Sequence, residues 1–219
     1  MTDVFMSDYL KESLNPDTDR YLMERLPARD EVLTQMEREA VELDFPFVGP
    51  LVGNLLSILT RAMGATRIFE LGSGFGYSAV HFARAAGPQG HVVCTDGSGD
   101  NKRRAEEYFR RAGVADRITY HVGDAVSILN GFAGPFDIIF LDIDKVGYPD
   151  GFHAAWPKVR PGGLLIADNL FWHGQVMTDD NRPSTQGVRK LTELITQTPG
   201  TQTAIIPLRD GISITQKVA

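Results

Sequence analysis

Residues 68–78 read Ile68-Phe69-Glu70-Leu71-Gly72-Ser73-Gly74-Phe75-Gly76-Tyr77-Ser78, an apolar run that stops at a carboxylate and opens into alternating glycines. Gly72, Gly74 and Gly76 let the backbone take φ > 0 and let a ligand approach the main chain closely. The following stretch Ser78-Ala79-Val80-His81-Phe82-Ala83-Arg84-Ala85-Ala86 predicts a helix, and the turn presents that helix's unpaired first N–H groups to the ligand. A strand, a tight glycine turn and a helix in this order make the first βα crossover of a nucleotide-type site.

Outward from this turn, strands are expected at 67–71, 91–96, 117–122, 136–142 and 162–168, separated by helices at 76–86, 100–112, 124–130 and 149–157. Such alternation implies right-handed βαβ crossovers and a parallel sheet with helices on both faces. Ile138-Ile139-Phe140-Leu141 is continuously apolar, as a central parallel strand should be. The tail departs from the rhythm: a helix near 185–198 is followed by strands at 201–206 and 212–217, joined by Leu208-Arg209-Asp210-Gly211. A connection that short makes the last two strands antiparallel. The fold class is therefore α/β, with a mostly parallel seven-stranded sheet and one antiparallel strand. Upstream, Val32, Leu33, Met36, Ala40 and Leu43 recur at helical spacing after Pro27. Residues 1–46 are expected to form a helical extension, for packing, as a lid or as a dimer contact, and residues 47–219 the main domain.

The whole chain of 219 residues, 42% hydrophobic, is long enough to bury a full core. A formal charge of −6 argues against nucleic acid or an anionic membrane as partner. The basic clusters Lys102-Arg103-Arg104 and Arg110-Arg111 are interrupted by Glu106 and Glu107 and read as a solvated helix face. Met1-Thr2-Asp3 has no basic n-region, and no stretch reaches transmembrane length, so a cytoplasmic location is expected. The one cysteine, Cys94, lies within His91-Val92-Val93-Cys94 and reads as a buried strand residue.

Two nucleotide chemistries compete for the glycine turn. The dinucleotide fingerprint needs G-x-G-x-x-G, and its third glycine falls on Tyr77 here, which weakens a nicotinamide-dependent oxidoreductase. E-L-G-S-G-F-G-Y-S instead resembles the first motif of S-adenosylmethionine (SAM)-dependent methyltransferases. In open α/β sheets ligands sit at the carboxyl ends of the strands, where Glu70, Asp96, Asp124, Asp142, Asp144 and Asp168 all fall. Asp96 suits ribose hydroxyls, although a strand-ending turn at Asp96-Gly97-Ser98-Gly99 explains it equally well. Asp124 is placed to cap the next helix, to reach an adenine amino group, or to do both. Asp142, Asp168 and Asn169 form a hard oxygen set that suits Mg²⁺ or Ca²⁺ rather than zinc, and no two histidines have metal-ligand spacing. Two carboxylates brought together without a cation repel each other, and one would have to bind a proton.

The linked run Asp142-Ile143-Asp144-Lys145, then Asp168-Asn169, then Trp172 resembles the cation-dependent O-methyltransferase family that includes catechol and caffeoyl-coenzyme A O-methyltransferases. The similarity runs from about Phe47 to Val218. It implies a Rossmann-like SAM-methyltransferase fold and a homodimer. By position it implies Asp142, Asp168 and Asn169 as metal ligands and Lys145 as general base. Val48, Glu70, Gly72, Ser78, Asp96, Asp124 and Ala125 would line the SAM site, with Asp144 beside the methionine part or the metal. The family's S-P-E-x-G approach is Gly49-Pro50-Leu51-Val52-Gly53 here.

The activity so implied is transfer of the SAM methyl group to a hydroxyl of a metal-chelated, vicinal dihydroxy aromatic small molecule. Tyr148, Trp172 and His173 are expected on the acceptor side, where aromatic rings stack on a flat phenol. Asp179-Asp180-Asn181-Arg182-Pro183 reads as an exposed, mobile loop. A non-catalytic SAM-binding module stands as the other alternative, against which the complete ligand set and Lys145 speak.

Overall fold

A strand such as Ile138-Ile139-Phe140-Leu141 has no polar side to offer water, and all four side chains are buried. Alternation along the strand sends them to two different cores: Ile138 and Phe140 to one face of the sheet, Ile139 and Leu141 to the other. Each such side chain removed from water contributes roughly 1.5–3 kcal/mol.

The computed structural model describes residues 13–218, so the expectation of helix over residues 1–12 lies outside the described residues. Among the described residues the strands are β1 (Arg67–Leu71), β2 (His91–Asp96), β3 (Ile118–Val122), β4 (Phe136–Leu141), β5 (Val159–Ala167), β6 (Thr201–Ile206) and β7 (Ile212–Lys217). They form one seven-stranded sheet in the order β3-β2-β1-β4-β5-β7-β6. Only β7 runs against its neighbours, pairing antiparallel with both β5 and β6. The short turn 208–211 therefore inserts β7 between β5 and β6, which leaves β6 at the edge.

Helices α1 (Pro16–Met23), α2 (Glu31–Glu42), α3 (Gly49–Met63), α4 (Tyr77–Ala86) and α5 (Gly99–Arg111) precede β3 in the chain. Helices α6 (Ala125–Asn130), α7 (Tyr148–Ala155) and α8 (Pro183–Gln197) follow it. Leu33 and Met36 of α2, Val52 and Leu56 of α3, Phe82 of α4 and Phe109 of α5 share one core. Leu129 of α6, Phe152 of α7 and Val188 and Leu191 of α8 share the other. No helix of the described residues is long and apolar enough to cross a membrane.

Two differences from the sequence reading exceed two residues. Among the described residues the N-terminal segment holds two helices, because Pro27 interrupts it and Asp30 caps a new start, accepting from the Leu33 N–H at 3.0 Å. β5 begins at Val159 rather than 162, running through Pro161 and Gly162 with a register shift against β4 between Phe136 and Ile138. The α2 helix shares the core of the main domain rather than standing apart from it.

Candidate active site

The strand order reverses between β1 and β4, so the loops after these strands leave in opposite directions and open a crevice between them. A cavity of about 1150 Å³ lies there. Its wall includes the segment 45–48, the glycine turn, the ends of β2, β3 and β4, and residues 168, 169, 172 and 173. Val48, Gly72, Ser78, Asp96, Asp124, Ala125, Asp142, Asp144, Lys145, Asp168, Asn169, Trp172 and His173, separated by up to half the chain, all line it. Glu70 and Tyr148 do not.

The glycine turn is stitched to the neighbouring strands. Gly72 and Ser73 donate their N–H groups to the Thr95 carbonyl at 3.1 and 2.8 Å, and the Tyr120 hydroxyl donates to the Gly74 carbonyl at 2.5 Å. Gly72 has φ 84°, and a Cβ there would be driven into the Asp142 carbonyl. No side chain caps α4, whose first-turn N–H groups are left for a ligand. Glu70 is fully buried beneath this turn: Ser78 donates to its Oε1, while Oε2 is buried and has no hydrogen-bond partner. Burial pushes the Glu70 carboxyl up to about 8, against the lowering effect of Ser78. A buried oxygen of this kind fits a donor supplied by a bound molecule.

Asp96 accepts from the Gly74 N–H at 3.2 Å, the Ser98 N–H at 2.8 Å and the Asn101 amide at 3.0 Å. Its carboxylate thus joins the glycine turn to the start of α5 and still borders the cavity. Asp124 caps α6, accepting from the Ser127 N–H at 2.7 Å, and these Ser127 contacts hold its carboxyl below the ordinary value. Phe45, Pro46, Phe47 and Tyr77 complete this half of the wall. The aromatic-proline run before α3 was the available sequence signal for them.

At the other end, Lys145 Nζ sits 2.8 Å from Asp142 Oδ1 and 4.7 Å from the centre of the Tyr148 ring. Burial favours the neutral amine, but the Asp142 carboxylate outweighs it and holds Lys145 above its ordinary value. Asp168 is buried, and burial followed by the nearby Asp142 charge raises its carboxyl. Tyr148, expected to face the acceptor, is fully buried instead, with its hydroxyl donating to the Asp168 carbonyl at 2.8 Å. It supports the Asp168 backbone from behind, because the short helical turn after Asp144 sends position 148 inward. Trp172 is half-buried and His173 exposed at the rim. The loop 179–183 is exposed as expected, yet Arg189 of α8 ties it down by donating to the carbonyls of Val176, Thr178 and Asp180.

Sequence and structure comparisons agree on one family. A family model described as O-methyltransferase matches residues 24–218. The chain is an O-methyltransferase of that family. Catechol O-methyltransferase of Niastella koreensis is 31% identical over 194 residues, which covers 85% of this chain and 86% of that protein. Among solved structures, the O-methyltransferase TomG of Streptomyces achromogenes in complex with SAM superposes with a TM-score of 0.84 at 30% identity, covering 93% of this chain and 96% of that one. An O-methyltransferase of Bacillus cereus in complex with SAH gives 0.83 at 30% identity, covering 92% and 97%.

For an O-methyltransferase, the donor chemistry of the cavity divides cleanly. The glycine turn and Asp96 fit a cofactor carrying hydroxyl groups, with Glu70 buried behind them. Asp142, Asp168 and Asn169 fit a hard divalent cation, which would remove the repulsion that raises Asp168. Among the described residues no three His, Cys, Asp or Glu side chains converge as a metal site.

Proposed function

We propose that this O-methyltransferase uses SAM to methylate a hydroxyl of a small aromatic molecule with two adjacent hydroxyls, with Asp142, Asp168 and Asn169 holding a divalent cation, Mg²⁺ foremost. The observation that carries the reading is that Asp142 and Asp168 lie in one cavity with the glycine turn. This shared lining supports a cofactor and an acceptor meeting in one space. The name of the Niastella relative supports the catechol class.

When bound, the sulfonium cofactor supplies the electrophilic methyl group and the cation lowers the pKa of the acceptor hydroxyl. The chain supplies position, dryness and a proton site. Gly72 and Gly74 let the cofactor lie against the backbone, and Phe45 to Val48 close over that end of the cavity. Trp172 gives a flat apolar wall for an aromatic ring. The Asp142 carboxylate 2.8 Å away holds Lys145 as the ammonium, so Lys145 Nζ would take the hydroxyl proton after giving its own to solvent once Asp142 is engaged elsewhere. Methyl transfer is then an in-line displacement that needs little beyond orientation and exclusion of water.

Turnover of a catechol in Mg²⁺ and in EDTA, by the wild type and by Asp142→Ala, tests the cation's part. The wild type should require the cation and Asp142→Ala should lose turnover by at least about 100-fold, with SAH affinity retained. Cation-independent turnover, or an active Asp142→Ala enzyme, would contradict it.

A further inference from the structure

The turn between β6 and β7, read in the sequence as a simple hairpin connection, reaches across to the metal-side loop. Asp210 at its tip is completely buried, with 0% exposure. Its Oδ1 accepts the His173 N–H at 2.6 Å, and its Oδ2 faces the Asn169 side-chain nitrogen at 3.4 Å. The backbone follows the same path: the Leu170 N–H donates to the Gly211 carbonyl at 3.0 Å, and the Phe171 N–H to the Asp210 carbonyl at 2.9 Å. Asn169, Trp172 and His173 have φ of 57°, 46° and 53°, left-handed values that Asn tolerates but that are uncommon for a bulky residue such as Trp. The clamp therefore fixes a loop whose conformation local sequence does not favour.

A side-chain amide has a donor end and an acceptor end, and its neighbours decide which way it lies. A carboxylate accepts and does not donate, so Asp210 draws the NH₂ end of Asn169 toward itself. The carbonyl oxygen is then the end left for the cavity that Asn169 lines. A cation is bound by that oxygen and repelled by the NH₂ group. We propose that Asp210 is a positioning residue that orients the Asn169 amide so that its oxygen faces the cation site, an inference that rests on the cation reading given above.

The test is a double-mutant cycle on Mn²⁺ affinity, read from the electron paramagnetic resonance signal of free Mn²⁺, with SAH affinity measured on every variant. Asn169→Ala and Asp210→Asn should each weaken Mn²⁺ binding by about 10–100-fold and leave SAH affinity within about threefold of the wild type. If Asp210 acts through Asn169, the double variant should bind Mn²⁺ no worse than Asn169→Ala alone. Losses that multiply would overturn the inference, since they would make Asp210 an independent charge. So would wild-type Mn²⁺ affinity in Asp210→Asn while Asn169→Ala is impaired. Asp210→Ser, which keeps an acceptor for the His173 N–H, replaces Asp210→Asn in the cycle if the latter fails to bind SAH. Loss of SAH binding by both would also overturn it, because orienting one amide leaves the cofactor end intact. Unchanged Mn²⁺ affinity in both Asn169→Ala and Asp142→Ala is the separate outcome in which the cation reading itself fails, and the inference with it.

Discussion

Glu70, next to last in β1, has one carboxyl oxygen bonded to Ser78 and the other buried without a hydrogen bond. Burial keeps it protonated at neutral pH, with its carboxyl up at about 8. A bound cofactor that offers a cationic donor reverses this by favouring the carboxylate. Binding should therefore release a proton near neutral pH, and SAH affinity should rise from about pH 6 to about pH 8 and then level. Calorimetry in two buffers of different ionisation enthalpy measures the release. Glu70→Gln, which has no proton to give up, should flatten the profile; a profile of equal slope in wild type and variant would remove Glu70 from the cofactor site. Glu70 stood out in the sequence because packing alone gives no reason for a carboxylate within an apolar strand. Tyr148 was misread for the opposite reason: aromatic character near a polar site says nothing about which way a short helical turn sends the ring.

Among the elements, α2 does more than cover the sheet. Glu37 is buried within it, 2.6 Å from Arg29 Nε, and accepts from the Tyr77 hydroxyl at 2.7 Å. Tyr77 opens α4 and lines the cavity, so α2 is fastened to the cofactor half of the site. Burial raises the Glu37 carboxyl, against the lowering effects of Tyr77 and Arg29. Glu37→Ala removes an acceptor that Arg29 and Tyr77 share and should cost about 3–5 kcal/mol in urea unfolding, together with weaker SAH binding. Glu37→Gln, which keeps an acceptor oxygen, should recover part of both. An unfolding midpoint and SAH affinity unchanged in Glu37→Ala would show that α2 packs without this link. The signal was present in the sequence, since position 37 falls on the same helix face as Leu33, Met36 and Ala40. A charged residue on an apolar stripe marks a buried pair, although its partner 40 residues on has no local trace.

At the scale of the whole molecule, the sheet was readable because its rule is local. Each apolar run names a strand, each amphipathic run a helix, and the right-handed crossover does the rest. The acidic residues at strand ends were readable by the same rule. What escaped were contacts between distant segments. Asp210 and Asn169 meet 41 residues apart, and Arg209 donates to the Phe47 carbonyl across 162 residues at 2.7 Å. Those contacts come from β7 being inserted beside β5, which brings the 208–211 turn to the cavity end of the sheet. A turn sequence reports its own shape but not what it will touch. The same geometry gathers the glycine turn, acidic oxygens and Lys145 into one space, and the proposed methyl transfer from SAM to a catechol would use all of them. Mass spectrometry of a catechol incubated with the purified protein, Mg²⁺ and SAM carrying a deuterated methyl group tests this most directly. One labelled methyl group on a hydroxyl oxygen is the expected result, whereas SAM binding with no label transferred to any vicinal dihydroxy aromatic would contradict the account.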